Sequence, residues 1–547
     1  MGKGSSSGAR AGNETSWHIL VWVCEGIVGS LAFAILKWAW DKLPIWALVI
    51  LVLGVIVLVW FTASALDKDH QWSGGGLPVV AAAFVLGAVL TWGFLAIWGD
   101  VEGGGDRDVR VAGHSEPDDC GRHPATNAVE VMVVWERAEL RAFCRVVSER
   151  DPGVRVTSVG PLIGRALDAR LAASDPPDVA IIPQPSLIRS YASDGDLCPT
   201  PDGVAQRFPG QWRHLVSEQE GGSGQEHVYG AVVKGAHKSL FWYRRDVWPG
   251  GLTTWRWRDL TSFLGDSAAT DDSRFADPLA LPAGDRWPLT DWFENQLAGT
   301  APDLYDRLSE GETVDWDAGP DRESLEGALR DVATVWDDPR VFAGGPDGAD
   351  QSSWRDLPRQ VDDGQAALAF GPSFLAGPVD GLADGWNEMW PVTFPELAHG
   401  TPLVVGGDFA VVPKIAGGCT RVAAARDLVD WLTDRPAMRR WIANDGGFIT
   451  PNYESPYLRE VAPGDTGGSV RAFLTSLIIP ESNERLHFDL SDDQFAVVNG
   501  GDASVTWNIF HDYFQDVTGD VPTDCAVGRT IARLKAVYRQ EQPVEPC

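Results

Sequence analysis

Val129-Glu130-Val131-Met132-Val133-Val134, followed at once by Trp135-Glu136-Arg137-Ala138-Glu139-Leu140, sets the architecture of this chain. The first six residues are apolar except Glu130, as in a strand covered on both faces. The next six open a helix that apolar spacing carries to about residue 149. The pattern then repeats. Residues 154–159 read as a strand, 162–173 as a helix, and 179–182 as a strand ending at Pro183-Gln184-Pro185. Alternating strands and helices predict a parallel α/β sheet. Such sheets bind ligands beyond the carboxyl ends of their strands, where Trp135 and Gln184 fall.

Further along, Trp287-Pro288-Leu289-Thr290-Asp291-Trp292-Phe293-Glu294-Asn295 gathers three aromatic rings, two carboxylates and an amide. Flat aromatic surface beside acceptor side chains suits a ligand with apolar C–H faces and a rim of hydroxyls, as a sugar has. After the turn signalled by Trp-Pro, Asp291, Glu294 and Asn295 stand at helical spacing and can share a face. A plain helix start, with acids in its first turn and aromatics in the core, fits the same residues.

The chain has 547 residues and a formal net charge of -31. That surplus of acid argues against nucleic acid as a partner. The first hundred residues are poor in charge and hold three apolar runs, at about 17–40, 43–66 and 77–98. Each is long enough to cross a bilayer as a helix, with tryptophans near its ends. Lys3 and Arg10 precede the first run, Lys37 and Lys42 flank the first loop, and Lys68 sits in the second. This weak positive-inside bias puts the N-terminus in the cytoplasm and everything after about residue 100 outside. Residues 1–99 are therefore expected to be a three-helix membrane anchor, with Glu25 inside its first span. Residues 100–125 form an acidic, glycine-rich linker, and 126–547 an extracytoplasmic domain. Cys24 belongs to the anchor. The other six cysteines are widely spaced without a C-x-x-C pair, which fits up to three disulfides in an oxidising exterior. Cys144, in a helical pattern, also fits a free buried thiol.

Eight motifs in order carry a resemblance. They are Val134-Trp135 with Glu139-Leu140; Pro177-Asp178-Val179-Ala180 through Pro183-Gln184-Pro185; and His227-Val228-Tyr229-Gly230. Next come Lys238-Ser239-Leu240-Phe241-Trp242-Tyr243, Thr253-Thr254-Trp255 and the segment Thr290 to Asn295. Gly406-Gly407-Asp408 and Gly446-Gly447-Phe448-Ile449-Thr450-Pro451-Asn452 complete the set. Over about residues 126–540 the chain resembles the family 1 extracellular solute-binding proteins of carbohydrate ABC importers, in the branch associated with α-glucosides. The resemblance implies a type II, maltose-binding-like α/β domain of two lobes that close on ligand. Lobe one would comprise about 126–237 and 404–450, and lobe two about 238–403 and 451–540. The apolar runs lie outside the resemblance.

Matching the family pattern places Trp135 and Gln184 on lobe one, and Trp287, Asp291, Trp292, Phe374 and Trp507 on lobe two, all facing the cleft. Gly406 and Gly407 would let backbone approach ligand, with Asp408 accepting hydroxyl protons. Trp242, Tyr243 and Trp255 are expected in core and turn packing. Where the family commonly has a small residue and an acid after the first tryptophan, this chain has Glu136 and Arg137. Arg137 could favour an anionic ligand or pair with Glu136 or Asp178. The resemblance implies binding without chemistry: a carbohydrate ligand, ABC permease subunits as partners, and a multi-pass anchor in the cell membrane. A sensor that signals lobe closure through its membrane helices to a separate partner is the alternative. Asp291 and Glu294 share one helix, a poor way to flank a glycosidic bond, which speaks against a glycosidase. The sequence holds no P-loop, dinucleotide motif or metal-ligand constellation, so no cofactor or metal is expected.

Overall fold

The structure is a computed structural model. It describes residues 128–547 except 136, 149, 151–152, 161–162, 220–224, 245–246, 248–254, 270–274, 377–388, 416–417, 421, 445–448, 456–473, 479–485, 494–503, 520 and 544–546. The three apolar runs, Glu25, the 100–125 linker, Glu136 and the Arg137 side chain lie outside the described residues. Among the described residues no helix is long and apolar enough to cross a membrane.

The first half of lobe one follows the expected alternation: β1 (Val129–Val133), α1 (Arg137–Val147), β2 (Val154–Ser158), α2 (Ile163–Ala172), β3 (Val179–Ile182) and α3 (Pro185–Ser193). The strands pair in parallel, β1 lying between β2 and β3. In α1 the apolar stripe Leu140, Phe143, Val146 and Val147 is buried, while Arg141 and Arg145 face water. The chain then runs through β4 (Ala231–His237) and crosses at Lys238-Ser239 into β5 (Leu240–Arg244) of lobe two.

Lobe two adds β6 (Asp277–Ala280), α4 (Trp287–Thr300), α5 (Pro302–Ser309), α6 (Gly319–Trp336), β7 (Ala366–Phe370) and β8 (Met389–Thr393). Its four strands run in the order β8-β5-β7-β6. Residues 288–299 of α4 are all buried, so this helix is the centre of the lobe and not a surface helix. Trp292 is fully buried there, with the rings of Phe370, Phe241, Phe394 and Trp336 at 4.9, 5.3, 5.9 and 6.2 Å. One such indole contributes on the order of 5 kcal/mol of apolar burial. Trp242, Tyr243 and Trp255 are buried as expected.

The chain returns to lobe one through β9 (Val404–Pro413), followed by α7 (Ala423–Leu432), α8 (Arg435–Asn444), β10 (His487–Phe488), α9 (Ser504–Thr518) and α10 (Thr523–Arg539). β9 joins the sheet together. It runs antiparallel to β3 on one side and to β4 on the other, and parallel to β10. The final crossing comes later than residue 451, where the sequence placed it. Ile449 accepts from Gly235 N–H, Asn452 donates to the Thr433 carbonyl, and Trp212 donates to the Ile478 carbonyl, all lobe-one contacts. Phe488 packs on Trp212 and Phe409. Leu490 N–H, by contrast, donates to Glu294 of lobe two. Sequence could not locate this switch because it depends on which sheet edge the short strand β10 joins.

Cys198 and Cys419 form a disulfide, as do Cys525 and Cys547. Cys144 is disulfide-bonded too, which corrects the free-thiol alternative.

Candidate ligand-binding site

Trp135 leaves the carboxyl end of β1 and is 4 % exposed. Its ring stands edge-on to Phe143 and Trp441, with centroids at 5.1 and 5.2 Å. Its indole N–H donates to Asp408 Oδ2 at 2.8 Å. Asp408 sits on β9 opposite Lys234 of β4. Burial pushes its carboxyl up to about 6, and the nearby Lys234 ammonium and the Trp135 bond only partly offset that. Lys234 pairs with Glu139 of α1, and its Nζ lies 5.6 Å from the Phe374 ring centroid.

Phe374 belongs to a short 3-10 turn, Ser373–Ala376, that follows β7. Ser373 Oγ accepts from the His237 N–H, which fixes this turn against the end of β4. The Phe374 ring is 6.0 Å from Trp287 and 5.0 Å from Trp354. Trp287 begins α4, and the residue before it, Arg286, has φ 66 and ψ -48. Such a conformation is costly for a residue with a Cβ. Arg286 also bonds to Asn508 of α9. The turn thereby ties the start of α4 to the helix that carries Trp507.

Lys238, at the first interlobe crossing, connects the rest. Its Nζ lies 5.8 Å from the Trp287 ring centroid. It is paired with Asp489, at 3.4 Å from Asp492 and at 3.7 Å from Asp291. Burial would strip its charge, but Asp291, Asp489 and Asp492 hold its pKa well above the usual lysine value. Burial also pushes Asp489 up, and the Lys238 ammonium and Ser491 outweigh it, leaving this carboxyl below its ordinary value. Asp492, buried beside Asp489, rises to about 7. Asp291 is raised strongly by burial despite Lys238, with Asp489 and Asp492 adding to the rise. Ser491 Oγ donates to Asp489 and accepts from the Trp507 indole N–H at 3.1 Å. Behind this layer, Glu294 accepts from Tyr305 and from the N–H groups of Leu490 and Ser491.

Six of the sequence-expected residues, Trp135, Asp408, Phe374, Trp287, Asp291 and Trp507, thus lie on one chain of contacts from lobe one to lobe two. Gln184 caps α3 at the carboxyl end of β3, the strand beside β1; it is 4 % exposed and its Oε1 has no hydrogen-bond partner. Two expectations are corrected. Trp292 is core, enclosed on its faces and edges by Phe241, Phe370, Phe394 and Trp336. Gly407 has a packing reason to be glycine: a Cβ there would stand 2.8 Å from Trp212 Cζ3. Sequence reading missed the connecting residues Lys234, Lys238, Asp489, Ser491 and Asp492. Lys238 lay inside a quoted motif, and Asp489-Leu490-Ser491-Asp492-Asp493 is a dense acidic turn in plain view. A separate cavity of about 550 Å³, lined by Arg189, Gln211, Trp212, Tyr305, Val405 and His487, includes none of the expected residues. Val405 and Gly407 alternate with Asp408 along β9, so this cavity lies on the opposite face of that strand.

No family model matches this chain. It is 27 % identical over 294 residues to the alpha-glucosides-binding periplasmic protein AglE of Rhizobium meliloti, covering 51 % of this chain and 61 % of AglE. It is 25 % identical over 302 residues to the osmoprotective compounds-binding protein GgtB of Synechocystis sp., covering 52 % of this chain and 66 % of GgtB. The chain thus spans less than two thirds of the length of either relative. Among solved structures it is similar to the bacterial solute receptor AcbH, described as having an exclusive preference for β-D-galactopyranose. That match has a TM-score of 0.58 at 15 % identity and covers 76 % of this chain and 98 % of AcbH. The fold is the two-lobe, maltose-binding-like α/β fold of periplasmic binding proteins. The relatives named here are binding proteins, not enzymes.

Proposed function

We propose that this chain is the sugar-binding receptor of an ABC importer, held at the membrane by its three N-terminal apolar runs, with residues 126–547 outside. The observation that carries this reading is the contact chain between the lobes. It places the half-buried rings of Trp287, Phe374 and Trp507 beside buried acceptors at the crossing points. A sugar there stacks on the rings and donates its hydroxyl protons to the carboxylates. Ligand that touches both lobes binds the closed form better than the open one and shifts the balance toward closure by that difference. The closed form is then handed to a permease in the same membrane, where anchoring keeps its local concentration high. Similarity to a receptor for α-glucosides supports that substrate class.

The carboxylates surround Lys238 and the start of one helix, so this is a binding site without catalysis. Calorimetric titration of the full-length chain in mild detergent, against a panel of α-glucosides, tests the reading. Saturable binding that Trp287→Ala abolishes supports it, and a folded sample that binds no sugar overturns it.

A further inference from the structure

We propose that the ligand of this cleft carries a positive charge, an amino-substituted glycoside being favoured over neutral and anionic sugars. This rests on the sugar-binding reading above. Among the described residues, the contact chain from Trp135 to Trp507 holds the carboxylates of Glu139, Asp291, Asp408, Asp489 and Asp492. Two ammonium groups, Lys234 and Lys238, stand against them, both already committed to carboxylates, and the Arg286 guanidinium on the same chain is bonded to Asn508.

The uncommitted atoms are acceptors. Asp291 is 1 % exposed and ion-paired with Lys238 Nζ at 3.7 Å, but among the described residues no donor lies within hydrogen-bond distance of either carboxylate oxygen. Gln184 Oε1 is also buried and unpartnered. A buried acceptor without a donor is costly, and a bound group that supplies the donor recovers that cost. A hydroxyl supplies one donor and leaves the surplus negative charge in place. An ammonium supplies three donors and the missing charge, and its bonds to carboxylate are the stronger kind. A phosphate or carboxylate would bring more acceptors to a contact chain whose described residues are already short of donors.

Two other features point the same way. The rings of Trp287 and Phe374 each lie within 6 Å of a lysine ammonium, at 5.8 and 5.6 Å, which marks them as surfaces that hold cations. The net charge of -31 draws cationic solutes toward the protein. Burial, with the Asp489 carboxylate beside it, raises the Asp492 carboxyl to about 7, so this group holds its proton part of the time at neutral pH. An arriving ammonium displaces that proton, so binding releases protons.

The test is calorimetric titration of the full-length chain in detergent with matched disaccharides of glucosamine, glucose and glucuronic acid. Each is run in two buffers of unlike ionisation enthalpy. The glucosamine disaccharide is expected to bind about tenfold more tightly than the glucose one. It should release protons, while the glucuronic acid disaccharide shows no binding. In Asp291→Asn, checked for folding by circular dichroism, the two binding affinities converge to within about twofold. If wild-type protein binds the glucose disaccharide as tightly, without proton release, the charge preference is overturned and sugar binding stands. Tightest binding of the glucuronic acid disaccharide also overturns it. Binding of none of the three by folded protein overturns the sugar reading itself.

Discussion

The indole N–H of Trp135 and the Oδ2 of Asp408 meet at 2.8 Å across 273 residues of sequence. The bond joins the end of the first strand to the strand at the centre of the sheet, beside an ammonium that Glu139 already holds. Asp408 titrates at about 6 because burial outweighs that company. Its folded pKa lies above the ordinary value of 3.8, so the folded chain binds this proton more tightly than the unfolded chain. Its contribution to stability is therefore full below about pH 4 and lost as the pH rises through about 6. Between pH 4 and 7 the wild type should lose roughly 2 kcal/mol more than Asp408→Asn. Urea unfolding of both proteins at the two pH values measures that difference, and equal losses would contradict the assignment.

Trp287 and Trp292 lie five positions apart on one helix and should answer to different assays. Trp287→Ala is expected to weaken sugar binding by at least about tenfold with a small change in stability. Trp292→Ala removes a ring from the centre of lobe two and should cost about 3–5 kcal/mol. Ligand titration and denaturant midpoints, run on both variants, separate the two roles.

Gly407→Ala would set a Cβ against Trp212, which is itself fully buried and bonded to the Ile478 carbonyl. Overpacking of this kind costs about 1–3 kcal/mol. The drop should appear in the thermal midpoint without any ligand present. An unchanged midpoint with weakened sugar binding would instead restore the glycine to a ligand-facing role.

Lys238→Met leaves Asp489 buried without its cation and should destabilise by about 3–5 kcal/mol at pH 7. Asp489 has a folded pKa below its ordinary value in the presence of Lys238. Its stabilising contribution is thus present above the unfolded pKa and disappears as the pH falls through the folded one. The gap between wild type and variant should narrow on acidification toward pH 3, as read from unfolding curves.

Replacing both Cys198 and Cys419 with Ala removes a crosslink between residues 221 apart in sequence. The loss should be about 2–5 kcal/mol. Guanidinium unfolding of the oxidised double variant checks it, since Cys525–Cys547 remains intact there as an internal control.

The α/β alternation from Val129 to Ile182 was legible because covered parallel strands and amphipathic helices have different periodicities. Motif order, and not periodicity, singled out Trp135 and Trp287 as candidate site residues. The lysines that organise the site were harder to see. Lys234 lies in the middle of an apolar strand and Lys238 just after its end, and their partners are up to 254 residues away. No local pattern reports such a pairing. Trp292 and Gly407 were misjudged for a related reason. A ligand-facing ring and a core ring share one composition, and only the packing of Phe241 and Phe370 on one, or of Trp212 on the other, tells them apart.

Strand β9 also sets the order in which this protein can finish folding. The edges it fills on β3 and β4 are made early in synthesis, and β9 itself arrives late. At about 5–20 residues per second, the 221 residues between Cys198 and Cys419 take roughly 10–45 s to emerge. During that interval the N-terminal strands have open edges, and lobe two still lacks α9 and α10. Neither lobe can close ahead of the other, so the chain must be kept from aggregating until nearly all of it is available. A chain assembled this way commits to its structure once, late and as a whole.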